Sequence, residues 1–183
     1  MRTWARTHRG PAAAIAIAGA IAGAIAIALG IYWFAPQRLV LDRTVNEPLP
    51  IVTPSIAPRE PPRGATEASK SSSTTFRSLE HETTGRVSIV ERSDGARFVR
   101  FEDLATSDGP DLRVYLTDQA VSDDWGVWDD GRYVDLGALK GNLGNANYRI
   151  PDDLDLDAFR TVVIWCRRFT VGFGVAPLGG MPA

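Results

Sequence analysis

The sequence predicts a mainly β protein: an antiparallel β-sandwich or barrel-like domain preceded by one transmembrane α-helix and a disordered stalk. Three observations carry this. Residues 11–35 are an uncharged run dominated by alanine, isoleucine and glycine, and residues 36–75 are rich in proline and serine. From Phe76 onward, short runs of valine, isoleucine and aromatic residues are broken by turn residues, at about every tenth position, as in a sandwich or barrel. The 183 residues thus divide into a cytoplasmic N-terminus (1–10), the helix (11–35), a linker (36–75), the β domain (76–178) and a short tail (179–183).

About 20 apolar residues cross a bilayer as a helix, so residues 11–35 are long enough. Ile31-Tyr32-Trp33-Phe34 supplies the aromatic belt of one interface, and Arg2, Arg6 and Arg9 flank the other end. That asymmetry predicts a single-pass plasma-membrane protein with its N-terminus in the cytoplasm and its C-terminal domain outside. A cleaved signal peptide is the alternative, since small-x-small sites such as Ala26-Ile27-Ala28 occur; the apolar run, however, exceeds the roughly 7–15 residues of a signal core. Gly19 and Gly23 match the small-xxx-small spacing through which two membrane helices can form a homodimer, a pattern that chance also supplies in so Ala/Gly-rich a helix. In the linker, Pro48, Pro50, Pro54, Pro58, Pro61 and Pro62 precede Ser69 and Ser71-Ser72-Ser73-Thr74-Thr75. Such composition buries too little apolar surface to order itself and favours an extended stalk.

Within the domain, residues 86–92 alternate as a strand, Ser93-Asp94-Gly95 supplies a turn, and residues 96–101 return as a hairpin. Leu112, Val114 and Leu116 share one face of the next strand, with Arg113, Tyr115 and Thr117 on the other. Residues 133–139 and 146–150 are shorter strand candidates, and residues 151–155 read as the capped start of one helical turn ending near Phe159. Thr161-Val162-Val163-Ile164-Trp165-Cys166 is β-branched and nearly all apolar, so it is expected at the centre of a sheet, with residues 169–175 as its neighbour. Gly172 and Gly174 there leave a groove free of side chains, to be filled by a large aromatic or a ligand.

Charge and cysteine usage narrow the function. The 20 basic and 22 acidic residues give a net charge of −2, and they are interspersed, so there is no basic stripe for nucleic acid. Cys166 is the single cysteine, so no internal disulfide forms. A zinc site needs about four Cys/His ligands and a blue-copper site needs two histidines with a cysteine; neither can be built here, and no metal ligand set is assigned. No Gly-x-Ser-x-Gly elbow is present, and the spacing of Gly137, Gly141 and Gly144 matches no nucleotide fingerprint, leaving these glycines to serve turns.

The run Leu136-Gly137-Ala138-Leu139-Lys140-Gly141-Asn142-Leu143-Gly144 is followed by Tyr148 and Pro151. Val163-Ile164-Trp165-Cys166 and the series Phe169, Val171, Phe173, Gly174, Ala176 and Leu178 come later, and Gly109-Pro110-Asp111-Leu112-Arg113-Val114-Tyr115-Leu116 lies upstream. Together these residues resemble the DM thirteen domain family over residues 76–178. The resemblance implies extracytoplasmic electron transfer with a membrane redox partner. It also implies that Cys166 occupies the position of the family's cysteine, acting as a bare thiol or as the ligand of a prosthetic group such as haem.

Read from the residues alone, Cys166 shares a strand face with Val162 and Ile164 and serves as a small buried hydrophobe; Arg167 and Arg168 beside it would instead favour a thiolate. With haem bound, Cys166 is the thiolate ligand and His81, the only histidine of the exported part, is the sole second ligand available, although an exposed strand histidine is the plainer reading. Trp165, Phe169 and Phe173 are expected to line the surroundings of Cys166. A different class of function, a non-enzymatic binding or adhesion domain, would bury Cys166 and use the loop carrying Trp125 and Trp128 to meet its partner. Carboxylates of that loop (Asp123, Asp124, Asp129, Asp130), or Asp152, Asp153, Asp155 and Asp157, could hold calcium, but solvated and helix-capping aspartates account for them equally. Either reading favours a transfer or binding module over a stand-alone enzyme.

Overall fold

The computed structural model describes residues 9–34, 41–50 and 73–178. The expectations for 1–8, for residue 35 of the helix, for 36–40 and 51–72 of the linker and for the tail 179–183 lie outside the described residues. Two compact units separate, 1–37 and 38–183. The first contains α1 (Arg9–Phe34). Its stretch Ala13–Phe34 has a mean hydropathy of 2.4 and is long and apolar enough to cross a membrane; a signal sequence near an N-terminus meets the same description. Large side chains of this helix, from Ile15 to Phe34, are exposed. A helix apolar on every face has no polar side to turn to water, which suits a lipid surround better than a soluble one.

The second unit holds β1 (Thr44–Asn46), β2 (Ser73–Thr75), β3 (Arg77–Ser78), β4 (Thr84–Glu91), β5 (Arg97–Ala105), β6 (Leu112–Thr117), β7 (Tyr133–Ala138), β8 (Leu143–Arg149), β9 (Thr161–Cys166) and β10 (Val171–Pro177). They form two five-stranded sheets. Sheet A runs β1-β8-β5-β4-β2 and sheet B runs β3-β10-β9-β6-β7. All pairings are antiparallel except β1 with β8. This is the sandwich; the barrel-like alternative falls away, because neither sheet closes on itself among the described residues.

Val87, Ile89, Val99, Phe101, Ala146 and Tyr148 of sheet A meet Leu112, Val114, Leu116, Val162, Ile164 and Cys166 of sheet B in one buried cluster. Alternation explains why: residues two apart on a strand face the same way. β9 lies between β6 and β10 and all six of its residues are buried, as expected for a β-branched central strand. Gly95 takes φ +82 in the β4–β5 turn. A single 3-10 turn at Leu156–Ala158 is capped by Asp155, whose side chain accepts the Asp157 N–H.

The expected disordered linker is corrected where it is described, at 41–50 and 73–75. Residues 41–50 belong to the β domain through β1, and β2 pairs with β4. Composition pointed to a stalk because the contacts that order this segment come from residues far away in sequence. Arg43 donates to the carboxylate of Asp108 at 3.0 and 3.2 Å, and its own N–H goes to Asn142 Oδ1 at 2.7 Å. Lys140 Nζ reaches both Glu47 carboxylate oxygens, at 2.7 and 3.0 Å, and the Asn147 N–H donates to Glu47 at 2.7 Å. Gly144 and Gly141, expected to serve turns, admit this segment. Gly144 sits at φ +99, and a Cβ there would lie 2.2 Å from the Val45 carbonyl oxygen.

A second correction concerns Gly172 and Gly174. The register between β9 and β10 shifts between them, so Gly172 pairs with Trp165 while Gly174 pairs with Ile164. The bulge puts the two glycines on opposite faces of sheet B. A Cβ on Gly172 would strike the Trp128 indole at 2.8 Å, and one on Gly174 would strike Thr83 at 2.5 Å. A large aromatic does fill the space over one glycine; a threonine fills that over the other.

Candidate functional site

Cys166 ends β9 opposite Leu112 of β6 and Val171 of β10. It is a free thiol with no solvent exposure, inside the cluster between the sheets. The turn that follows, 167–170, folds tightly back: the Phe169 N–H donates to the Cys166 carbonyl at 3.2 Å, and Thr170 takes φ +51, a left-handed conformation that is costly for a β-branched residue. This turn brings the backbone N–H groups of Phe169 and Arg168 to the sulfur, and that of Asp111 approaches from the β6 side. Burial pushes the thiol up; those three N–H groups pull the other way, the Asp111 carboxylate adds to the upward push, and the net shift is upward. Cys166 is therefore protonated at neutral pH.

The expectation that Arg167 and Arg168 favour a thiolate does not hold as a net effect. Arg167 Nε donates to Asp111 at 2.9 Å instead, so the cation is neutralised by the same carboxylate that opposes ionisation of the sulfur. Asp111 is the residue whose role sequence reasoning missed. Its place in Gly109-Pro110-Asp111-Leu112 was visible, but its meeting with Arg167, 56 residues away, was not.

Of the aromatics expected around Cys166, only Phe173 shares its cluster. Trp165 faces the outer side of sheet B with Tyr115, Trp128, Val163 and Val175, because neighbours on a strand point oppositely. Phe169 is 47% exposed in the turn. His81 is half-buried in the bend before β4 and its ring lies 3.9 Å from that of Phe173; its ring contact is with that aromatic and not with the thiol. These residues do not fit a haem. An axial thiolate must be ionised and must face room for the macrocycle, whereas Cys166 is protonated and enclosed by core side chains.

The 118–132 loop between β6 and β7 folds over the outer face of sheet B. Trp128, expected at a contact surface, is fully buried there, and the Gly172 N–H donates to the Trp125 carbonyl at 2.8 Å. Trp125 alone fits the expected contact surface, being 53% exposed. It lines an open groove of about 620 Å³ with Glu80, Asp123, Asp124, Gly126, Phe169, Thr170 and Val171. Four of these aspartates are otherwise engaged: Asp123 pairs with Arg77, Asp124 accepts the Gly126 N–H, Asp152 pairs with Arg149, and Asp155 caps the 3-10 turn. Among the described residues, no three His, Cys, Asp or Glu side chains converge as a metal-ligand set.

A family model described as Electron transfer DM13 matches residues 75–178. That range holds both sheets from the end of β2 onward, with Cys166 and its turn, and is more than half of the chain. No curated protein matches the chain, and no solved structure does.

Proposed function

From the premise that this chain belongs to the DM13 electron-transfer family, we propose a membrane-anchored extracytoplasmic electron-transfer module with the Cys166 thiol as its redox centre. The observation that carries this reading is the single cysteine of the matched domain, placed on its central strand with three backbone N–H groups turned to the sulfur. Because the thiol is protonated, oxidation moves an electron and a proton together. One electron passes to a membrane redox partner, the proton passes to the carboxylate of Asp111, and the S–H bond is restored on the return. The N–H groups lower the cost of any negative charge that builds on sulfur.

The apolar helix, with its arginine-flanked N-terminus and aromatic end, supports anchoring with the domain outside the cytoplasm. Protease accessibility of the β domain in intact cells tests that orientation. Cleavage only after lysis would overturn it.

A second reading has its own support. A buried, protonated cysteine also fits a structural role in a binding or adhesion domain, with the Trp125 groove as the contact surface. One experiment separates the two: the full chain, purified in detergent from its native host, is titrated with mild one-electron mediators beside Cys166→Ala, and absorption spectra are recorded in both oxidation states. The redox reading expects no visible chromophore and electron exchange that disappears in the variant. Unchanged exchange with only a lowered melting temperature would favour the structural cysteine, and a Soret band lost in Cys166→Ala would reinstate haem.

A further inference from the structure

The outer face of sheet B, away from the Cys166 side chain, carries a file of aromatic rings that leads from solvent to β9. Tyr133 on the edge strand β7 is 43% exposed and stacks on Tyr115, with centroids 4.8 Å apart and an interplanar angle of 13°. Tyr115 is buried on β6, and its ring lies 6.5 Å from that of Trp165. Both separations fall within the roughly 4.5–7 Å over which aromatic rings interact directly. Trp165 is fully buried and is the residue before Cys166, so the file ends one peptide unit from the thiol.

Packing alone does not call for this chemistry. Among the described residues, the Trp165 indole N–H is buried without a hydrogen-bond partner, as is that of Trp128 in the same cluster. A phenylalanine would fill such a site without burying a bare donor. An indole with no acceptor keeps its proton when it loses an electron, so its positive charge remains free to move on. The phenol of Tyr133 behaves differently, because water is there to take its proton. Burial, with Asp135 and Tyr133 adding to it, raises the Tyr115 phenol, which keeps the middle ring neutral.

We propose that Tyr133, Tyr115 and Trp165 form a one-electron relay joining the surface of sheet B to the strand that carries Cys166. An outer-sphere one-electron oxidant takes an electron from the stacked tyrosine pair, and the Tyr133 phenolic proton passes to water. Trp165 then gives one electron to the pair, the phenol regains a proton from water, and Trp165 is left as a radical cation with its N–H intact. Net, one electron moves from Trp165 to the oxidant. Refilling of Trp165 by the Cys166 thiol, with the proton going to Asp111, is the one link that rests on the proposed function.

The test is rapid-freeze electron paramagnetic resonance of the full chain in detergent after mixing with hexachloroiridate(IV). A background of Trp4→Phe, Tyr32→Phe, Trp33→Phe and Trp125→Phe removes the indoles outside the β domain, the exposed phenol of the helix and the exposed indole of the 118–132 loop, and ring-deuterated tyrosine or tryptophan assigns the radicals. Tyr133→Phe and Tyr115→Phe keep the rings, and unchanged melting temperatures confirm the fold. The relay expects a tyrosyl signal followed by an indole signal that Trp165→Phe removes, and oxidant consumption slowed about tenfold or more in Tyr133→Phe. Tyr115→Phe should leave the radical on Tyr133 with no indole signal. Equal consumption in Tyr133→Phe, or an indole signal indifferent to Tyr115→Phe, overturns the relay while leaving the Cys166 mediator titration to stand on its own. In Cys166→Ala the indole radical should live longer. An unchanged lifetime overturns the thiol's part alone.

Discussion

Two parts of the β domain are completed by segments other than its long strands, and different chemistry holds them. The 41–50 segment closes one edge of sheet A mainly through polar contacts: Arg43 on Asp108, Glu47 on Lys140, and Asn142 donating to Asp42 at 2.8 Å. The 118–132 loop instead covers the outer face of sheet B by burying Trp128 over Gly172, with no partner for its indole N–H among the described residues. The first attachment is specific in geometry and sensitive to charge; the second rests mainly on apolar burial, with the exposed Arg77–Asp123 pair at its margin. Apolar burial scales with area, whereas partly exposed ion pairs contribute little each unless several act together.

Substitutions can break this contrast in graded steps. Trp128→Ala should cost about 3–5 kcal/mol of global stability through the cavity it leaves, read as a drop in the urea midpoint. Gly144→Ala forces a side chain against the Val45 carbonyl at positive φ; it should cost about 1–3 kcal/mol, and hydrogen exchange should show it as faster exchange in β1 before any change in β9. Asp108→Ala removes a buried carboxylate that takes two bonds from Arg43 and one from the Gly109 N–H. A loss of about 2 kcal/mol is expected from charge-assisted bonds, again with faster exchange at Glu47.

The smallest effect sharpens the contrast through pH. Burial pushes the Glu47 carboxyl up, but bonds from Lys140 and the Asn147 N–H, with the charges of Lys140 and Arg100, outweigh it and hold the carboxyl below its ordinary range. A carboxyl depressed on folding contributes stability that is fully present above its unfolded pKa of about 4.3 and is lost as pH falls through the folded value. Exchange protection of β1 should therefore fall in acid between those two values while that of β9 does not follow it. Glu47→Gln should remove this pH dependence at a cost of about 1 kcal/mol or less. Protection that falls equally in both strands would show that the two attachments are not independent.

What was legible in the sequence follows the same division. The strands Leu112–Thr117 and Thr161–Cys166 are found where alternation and β-branching place them, because local period and burial coincide there. β1 was illegible: its partners lie about a hundred positions downstream, as with Arg43 and Asn142 at a separation of 99, and its own composition is that of a stalk. The Lys140-Gly141-Asn142-Leu143-Gly144 run suggested a turn because glycines that admit a second chain look the same as glycines that bend one. Around Cys166 the sequence does carry a signal. Alternation alone sends Trp165 to the face opposite Cys166, and the same rule places Tyr115 and Val163 with it. The bulge at Phe173 carried no such signal, and neither did the pairing of Asp111 with Arg167 above the thiol.

Chain order gives the β1 attachment a mechanical meaning. A pull along the chain from the helix end enters the domain at β1. The load therefore falls first on three residues of parallel ladder with Leu143, Gly144 and Asn145 and on the Arg43–Asp108 and Glu47–Lys140 pairs. Those bonds would yield before the force reached β9, so under such a pull the segment would act as a fuse that gives length while leaving the strand that carries Cys166 intact.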